Sequence, residues 1–436
     1  MLLPAEDGTI LVYAKDASFA FFLQKNDYFL ERNTIMKKFL ALILALVMAL
    51  SLVACGEKAP VDDGADAGDD AATPEYKVAM ITDYGDITDQ SFNQTTYEAC
   101  KAFCEANSIE FTYKKPAGDN TSDRVAMVEQ AVDEGYNVIV MPGYAFGGTI
   151  VEAAPMYPEV KFIALDVAEG DLLEAGVTAA GESYDYNPAN WDLSKYVDMT
   201  NVYCAIYQEE LCGYMAGYAA VKMGYTKLGF LGGMAVPAVI RYGFGFVQGV
   251  DAAAAEMGIN VDVNYAYGNQ FFGDNDITAA MDTWYQNGTE VIFACGGGIY
   301  SSAAEAAAKV GAKVIGVDVD QAGIIDGVYG EGMTVTSAMK GLYPATFDTL
   351  TDVIVNGNWA NYAGKIETLG LVSGDDPTLN YVQIPMESTQ WSDTFTQDDY
   401  KALVKDMFDG TITVSNDTAA MPAVTNTNVD DQGNIK

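Results

Sequence analysis

The sequence predicts an α/β protein made of two lobes, each a doubly wound parallel sheet. Three observations carry this. Short apolar runs alternate with longer segments of helical periodicity, the alternation comes in two separate series, and Asp or Gly follows most of the runs. In the first series, residues 77–81 (KVAMI) form an apolar run of strand length. Residues 91–107 then place Tyr97, Cys100, Phe103 and Cys104 on one helical face. Strand 109–113, helix 122–134, strand 138–140, helix 147–157 and strand 161–165 continue the rhythm. The second series begins with a long helix at 208–223 and strand 227–231. It goes on through helix 239–257, strand 261–266, helix 277–287, strand 290–294, helix 301–310 and strand 313–317. Each βα series implies right-handed crossovers and helices on both sheet faces. Lobe one is assigned to residues 76–207 with a returning segment at 335–365, and lobe two to 208–334. Residues 366–436 are expected to cross the hinge. The polar, aromatic stretch 181–200 interrupts the alternation and reads as an insertion.

Composition narrows the function. The chain has 436 residues, enough for two domains of ordinary size, and 50% of them are hydrophobic. Sixty-one acidic residues against 23 basic ones give a formal charge of −38. Such a surface repels phosphate backbones, so nucleic acid is not an expected partner. There is no histidine, which removes Ser-His-Asp and Cys-His chemistry and nearly every catalytic zinc site. No cofactor, metal or catalytic residue is expected. Walker A spacing is absent, so any ATP hydrolysis belongs to a separate subunit.

The N-terminal region carries an export signal. Lys37 and Lys38 precede an apolar run at 39–54, which ends in Leu52-Val53-Ala54-Cys55. This is a charged n-region, an h-region and a lipobox, so residues 36–54 read as a lipoprotein signal and Cys55 as the lipidation site. A spanning helix needs about 20 apolar residues, more than the run supplies. Residues 1–35 lie upstream of the signal and read as a start codon assigned too early. Residues 55–75, rich in Asp, Ala and Gly, read as a disordered acidic tether. The protein is therefore expected outside the cytoplasm, anchored to the outer face of a bacterial membrane. The remaining cysteines show no C-x-x-C spacing. Cys100 and Cys104, four apart on one helix, read as small core residues.

Ligands of open parallel sheets sit beyond the C-terminal strand ends. Those ends here carry Asp83, Gly143, Asp166, Gly232, the Gly296-Gly297-Gly298 run and Asp318. Two lobes with carboxylates and glycines at these ends predict a cleft between them. The glycine run lacks the Lys-Ser/Thr of a phosphate loop, so backbone N–H groups there suit a neutral polar ligand better.

Several long motifs, in order, resemble the basic membrane protein family of ABC-importer substrate-binding lipoproteins, which includes purine nucleoside receptors. They are ITDYGDITDQSFNQTTYEA at 81–99, YPEVKFIALD at 157–166, GFLGGMAVPAVIRYGFGFVQG at 229–249, GVDVDQ at 316–321 and SAMKG at 337–341. The resemblance implies a type I periplasmic-binding-protein fold that closes around its ligand and alters nothing chemically. It also implies an ABC permease and its separate ATPase as partners. The implied ligand is a nucleoside, most simply a purine nucleoside. Phe92 and Tyr242 are candidate plates on opposite lobes, with Tyr242 replacing the family's usual Phe. Asp166 and Asp318 are candidate acceptors for ribose hydroxyls and base N–H groups, although a strand-end Asp can also cap the next helix. Asp83, Asn93, Asp274, Gly297 and Lys340 complete the candidate ligand set. Other readings stay open on the residues alone: a sugar, a flavin or a signal molecule as ligand, or an extracytoplasmic nucleosidase or hydrolase.

Overall fold

A computed structural model describes residues 75–435. The expected signal, tether and Cys55 lie outside the described residues, apart from Glu75. The first lobe alternates β1 (Lys77–Ile81), α1 (Phe92–Asn107), β2 (Glu110–Lys114), α2 (Thr121–Asp133), β3 (Val138–Pro142), α3 (Gly147–Ala153), β4 (Lys161–Leu165), α4 (Glu169–Ala179) and β5 (Val202–Tyr207). The second runs α5 (Glu209–Lys222), β6 (Lys227–Gly232), α6 (Pro237–Met257), β7 (Val261–Tyr267), α7 (Asn275–Gln286), β8 (Val291–Cys295), α8 (Tyr300–Val310), β9 (Lys313–Asp318), α9 (Ala322–Tyr329) and β10 (Thr334–Lys340). The chain then adds α10 (Leu342–Leu350), β11 (Lys365–Leu369), β12 (Val382–Gln383), α11 (Gln397–Phe408) and β13 (Thr427–Asn434).

The sheet orders are β11-β5-β4-β3-β1-β2 and β12-β10-β9-β8-β6-β7-β13. Stripped of the late strands, both lobes have the order 2-1-3-4-5. Each reverses direction beside its first strand, between β1 and β3 and between β6 and β8. A crevice opens at such a reversal, beyond the strands' C-terminal ends. The central strands are buried on both faces, which is why their sequences run apolar without alternation. Among the described residues five cysteines, Cys100 and Cys104 included, are free and buried.

Two boundaries differ from expectation. Residues 335–340 were expected in lobe one, but β10 pairs in parallel with β9 and belongs to the second sheet. Its sequence TVTSAMK is almost wholly buried, so it is a core strand made of small and β-branched residues rather than a return segment. The crossing back to lobe one comes after it, where α10 packs on α1 with the Phe103 and Phe347 rings edge to face at 5.7 Å. The tail from 366 onward supplies strands to both sheets: β11 extends β5, while β12 and β13 flank the second sheet. Crossings near 208, 341 and 370 are stitched together by Gln208 N–H to Leu369 O, Gly341 N–H to Tyr381 O and Tyr381 N–H to Gly370 O.

The helices α5 and α6 meet at backbone distance. A Cβ on Gly213, Gly217, Gly245 or Gly249 would lie 2.1–2.3 Å from a carbonyl oxygen of the facing helix. The glycine run at 243–249 is thus a helix-packing seam. It aligns the N-termini of α5 and α6, and so places Glu209 and Glu210 beside Arg241 and Tyr242 at the cleft floor.

Candidate functional site

Beyond the C-terminal strand ends lies a cavity of about 410 Å³ lined by both lobes. That lies within the roughly 300–1,000 Å³ of small-molecule sites. Asp83, Phe92, Asn93, Asp166, Tyr242, Gly297, Asp318 and Lys340 all line it. Asp274 does not. Its carboxylate accepts the N–H groups of Asp276 and Ile277 and caps α7, so the ordinary role of an Asp before a helix prevails there.

Lys340 is the centre of the floor. Its ammonium pairs with Asp166 across the cleft and lies 3.6 Å from Asp318 and 3.7 Å from Glu209. It also sits 4.7 Å from the Phe92 ring centroid, 5.5 Å from that of Tyr207 and 5.6 Å from that of Tyr242, a cation–π environment. Burial alone would favour the neutral amine, but the fields of Asp166, Asp318 and Glu209 outweigh it and raise the Lys340 pKa above the ordinary lysine value. Arg241 forms a second ion pair with Glu209 at 2.7 Å.

Asp166 and Asp318 share a backbone feature. They end β4 and β9 with φ of 60° and 64°, the left-handed region that a side chain with a Cβ enters at a cost. The turn aims both carboxylates into the cleft. Asp166 Oδ1 is buried and has no protein partner. Burial lifts the Asp166 pKa, the Lys340 charge opposes that, and Glu209 and Asp318 add to it, leaving a value of about 6. Asp83 accepts the N–H groups of Tyr84 and Gly85 and the Asn93 amide. Asn93 Nδ2 also donates to Asp89, while its Oδ1 is buried and unpartnered.

The two aromatic candidates are not equivalent. Phe92 is half-buried at the start of α1. Tyr242 is only 2% exposed, and its hydroxyl donates to Asp318 Oδ1 at 3.3 Å, so the extra oxygen relative to Phe is engaged within the protein. The exposed second-lobe ring at the cavity is Phe272, at 56%. It lies in the loop held to the Gly296-Gly297-Gly298 turn by Gly298 N–H to Phe271 O. Gly297 adopts φ 52°, and a Cβ there would approach Phe271 O to 3.0 Å.

Sequence reasoning missed Asp171 in the cavity lining and the buried acids Glu209 and Glu210 behind it. Two consecutive acids at a helix start normally complement the helix dipole at the surface. The signal lay in the apolar, glycine-spaced helix behind them. Burial lifts Asp171 and Glu210 each to about 7. With Asp166, these carboxyls bind protons more readily folded than unfolded, since unfolded carboxyls titrate near 4. Between about pH 4 and 7 the folded state holds the extra protons, so their contribution to stability rises as pH falls through that window. The chain has no histidine to titrate there. The melting temperature should therefore be higher at pH 5.5 than at pH 7.5, and the double variant Asp171→Asn/Glu210→Gln should flatten the profile in a buffer-matched thermal scan. An unchanged slope in that variant would locate the effect elsewhere.

Comparison with known proteins follows the same lines. The model of the family described as "ABC transporter substrate-binding protein PnrA-like" (Bmp) matches residues 76–383. A CD4+ T-cell-stimulating antigen from Listeria innocua serovar 6a is 28% identical over 65% of this chain and 74% of its own length. The ABC transporter nucleoside-binding protein BmpA of Lactococcus lactis subsp. cremoris is 28% identical over 66% and 75%. Among solved structures, an ABC transporter solute-binding protein from Aeropyrum pernix K1 superposes with a TM-score of 0.55 at 20% identity, over 79% of this chain and 88% of that one; this likeness is one of fold, the type I binding-protein fold. The family match covers every strand but β13 and every cavity residue named above, and with it the chain belongs to the PnrA-like Bmp family of ABC transporter substrate-binding proteins, which are not enzymes.

Proposed function

We propose that this protein captures a nucleoside, a purine nucleoside above all, between its two lobes and hands it to an ABC permease driven by a separate ATPase. The observation that carries this reading is the pair of buried, unpartnered acceptors, Asp166 Oδ1 and Asn93 Oδ1, at a cavity beside the half-buried ring of Phe92. An ionised carboxylate accepts strongly from hydroxyls, an amide oxygen accepts from a base N–H, and an aromatic face stacks on a heterocycle. The nucleoside-binding name of the Lactococcus relative points the same way. The lipobox at Cys55 supports anchoring to the outer face of the cell membrane through a lipid.

Inosine, guanosine or adenosine should raise the melting temperature of the purified protein. At 100 times its dissociation constant a ligand adds about 2.7 kcal/mol. The 2′-deoxy analogues should bind more weakly. Phe92→Ala should weaken nucleoside binding by roughly 5- to 150-fold, the value of one base–aromatic stack. Asp166→Asn should hurt ribosides more than free bases. A clear shift with a hexose and none with any nucleoside would reassign the ligand.

A further inference from the structure

The stretch 181–200 joins α4 to β5, and none of its residues lines the cavity between the lobes. It folds around two short 3₁₀ turns, Pro188–Asn190 and Leu193–Lys195. Leu193, Tyr196 and Val197 seat it on the core of lobe one. Gly176 in α4 makes room for it, since a Cβ there would lie 3.0 Å from Tyr196.

The four aromatics of the stretch form a continuous ladder. The Tyr184 ring centroid lies 5.4 Å from that of Tyr186 and 5.7 Å from that of Trp191, and Trp191 lies 5.6 Å from Tyr196. Three polar tips are tied to carboxylates. The Tyr186 hydroxyl donates to Glu174 at 3.2 Å, the Tyr196 hydroxyl to Glu182 at 3.2 Å, and Trp191 Nε1 to Asp185 at 2.7 Å. Tied tips fix the ring planes in advance, so little side-chain entropy is left to lose on binding. The ladder is nevertheless not sealed into a core. Trp191 is partly exposed. Tyr186 is 74% exposed and holds φ 59°, a conformation that costs a bulky residue energy.

A second cavity, of about 320 Å³, opens beside this ladder and shares no residue with the cleft. Asp185, Asn190, Trp191, Asp192, Lys195 and Tyr196 line it. The planes of Trp191 and Tyr196 meet at 67°, a corner rather than a parallel slot. A flat base would cover one wall and leave the other bare. A puckered ring with an apolar C–H face and outward hydroxyls covers a wall and reaches the rim. The rim offers both donors and acceptors. Asn190 spends its amide N–H on Asp185, and among the described residues nothing donates to its oxygen. Asp192 Oδ2 and Lys195 Nζ lie 3.6 Å apart, beyond hydrogen-bond reach. A hydroxyl donates and accepts at once and suits such a mixed rim, whereas a cationic ligand would meet the Lys195 charge.

We infer that residues 181–200 carry a saccharide-binding site, in which a pyranose lays its C–H face on Trp191 and its hydroxyls on Asn190, Asp192 and Lys195. The inference does not depend on what the cleft binds. It gives the protein two separate sites, one for the transported solute and one for carbohydrate. The carbohydrate is either a soluble oligosaccharide or a polysaccharide of the cell envelope, and the recognition chemistry is the same for both.

Saturation-transfer NMR of the purified protein with N,N′-diacetylchitobiose, cellobiose and maltotriose, and sedimentation with purified peptidoglycan, test it. At least one soluble sugar or the peptidoglycan should bind. For a soluble sugar, saturation should be strongest on the C–H protons of one ring face, and tryptophan emission should change on titration. Trp191→Ala should weaken binding by at least roughly 10-fold, while Trp191→Phe, which keeps a flat face, should retain most of it. Asp192→Asn keeps the oxygen that caps the following turn, and should cost roughly 2- to 10-fold. Co-sedimentation that is lost in Trp191→Ala would assign the polymer; soluble binding without it would assign a free oligosaccharide. The proposal is overturned if neither the three sugars nor peptidoglycan binds. It is also overturned if Trp191→Ala binds as tightly as wild type, which would put the sugar in the cleft. Failure of every nucleoside to bind would leave these readouts unchanged, so the two conclusions fail separately.

Discussion

Lys340→Met should destabilise the protein by about 3–5 kcal/mol, the cost of removing one partner from a buried charge cluster. The side chain is 5% exposed and is the cation nearest to Asp166 and Asp318, with Glu209 shared between it and Arg241. Methionine fills a similar volume, so packing against Phe92, Tyr207 and Tyr242 survives and the loss is electrostatic. Two controls follow from that. Lowering the pH to 5.5 should shrink the deficit, because Asp166 without the Lys340 charge beside it protonates more readily. The double variant Lys340→Met/Asp166→Asn should be more stable than Lys340→Met alone, since it removes one of the stranded charges. Chemical denaturation of the four proteins in this cycle measures the coupling directly. A deficit below about 1 kcal/mol at pH 7.5 would mean that water or rearrangement already compensates the carboxylates.

The alternation of strands and helices was legible because the central strands are buried on both faces and so appear as unbroken apolar runs such as KVAMI and VIVMP. The late edge strands gave no such signal. In β11, KIETL is mostly exposed, and in β13, TNVDDQGN is polar apart from Val429. Both are placed by pairing with a neighbour, with only Ile366, Leu369 and Val429 packing on the core. The core strand β10 escaped for the opposite reason: its buried residues are Thr, Ser, Val, Ala and Lys340 rather than large aliphatics, so the border between lobes was drawn a strand too early.

For the site, the rule that ligands gather at strand ends was enough to find Asp83, Asp166, Asp318 and Gly297. It also selected Asp274, because a carboxylate in a loop before a helix is written the same way whether it faces a ligand or caps the helix. The pairing of Glu209 with Arg241 was out of reach for a physical reason. It depends on a contact between segments 32 residues apart, which no local pattern encodes. Tyr242 shows the same limit. The sequence marks an aromatic at the right place, but only its covered face and its bond to Asp318 distinguish a ligand plate from a floor tile.

Gly245→Ala should cost about 1–3 kcal/mol, although alanine normally stabilises a helix relative to glycine by about 0.5–1 kcal/mol. The added Cβ would stand 2.1 Å from the Glu210 carbonyl oxygen and 2.7 Å from its Cα. These are backbone atoms of α5 and cannot swing aside, so the two helices must move apart. Gly213, Gly217 and Gly249 set the same spacing on the same seam, and a wedge at one position strains the others. The displacement also reaches the cleft, because Glu209 and Arg241 are paired at the ends of these helices. Ligand binding should therefore weaken together with stability. Gly323→Ala is the matched control. That glycine lies in α9 with nothing near its Cβ position and no left-handed φ, so the substitution should stabilise by about 0.4–1 kcal/mol through the unfolded state. Opposite signs for the same chemical change at two helical glycines, measured by denaturant titration, are the expected result. Equal effects would mean that the α5–α6 seam has room to spare, and that the carboxylates at the cleft floor are not held in place by backbone contact behind them.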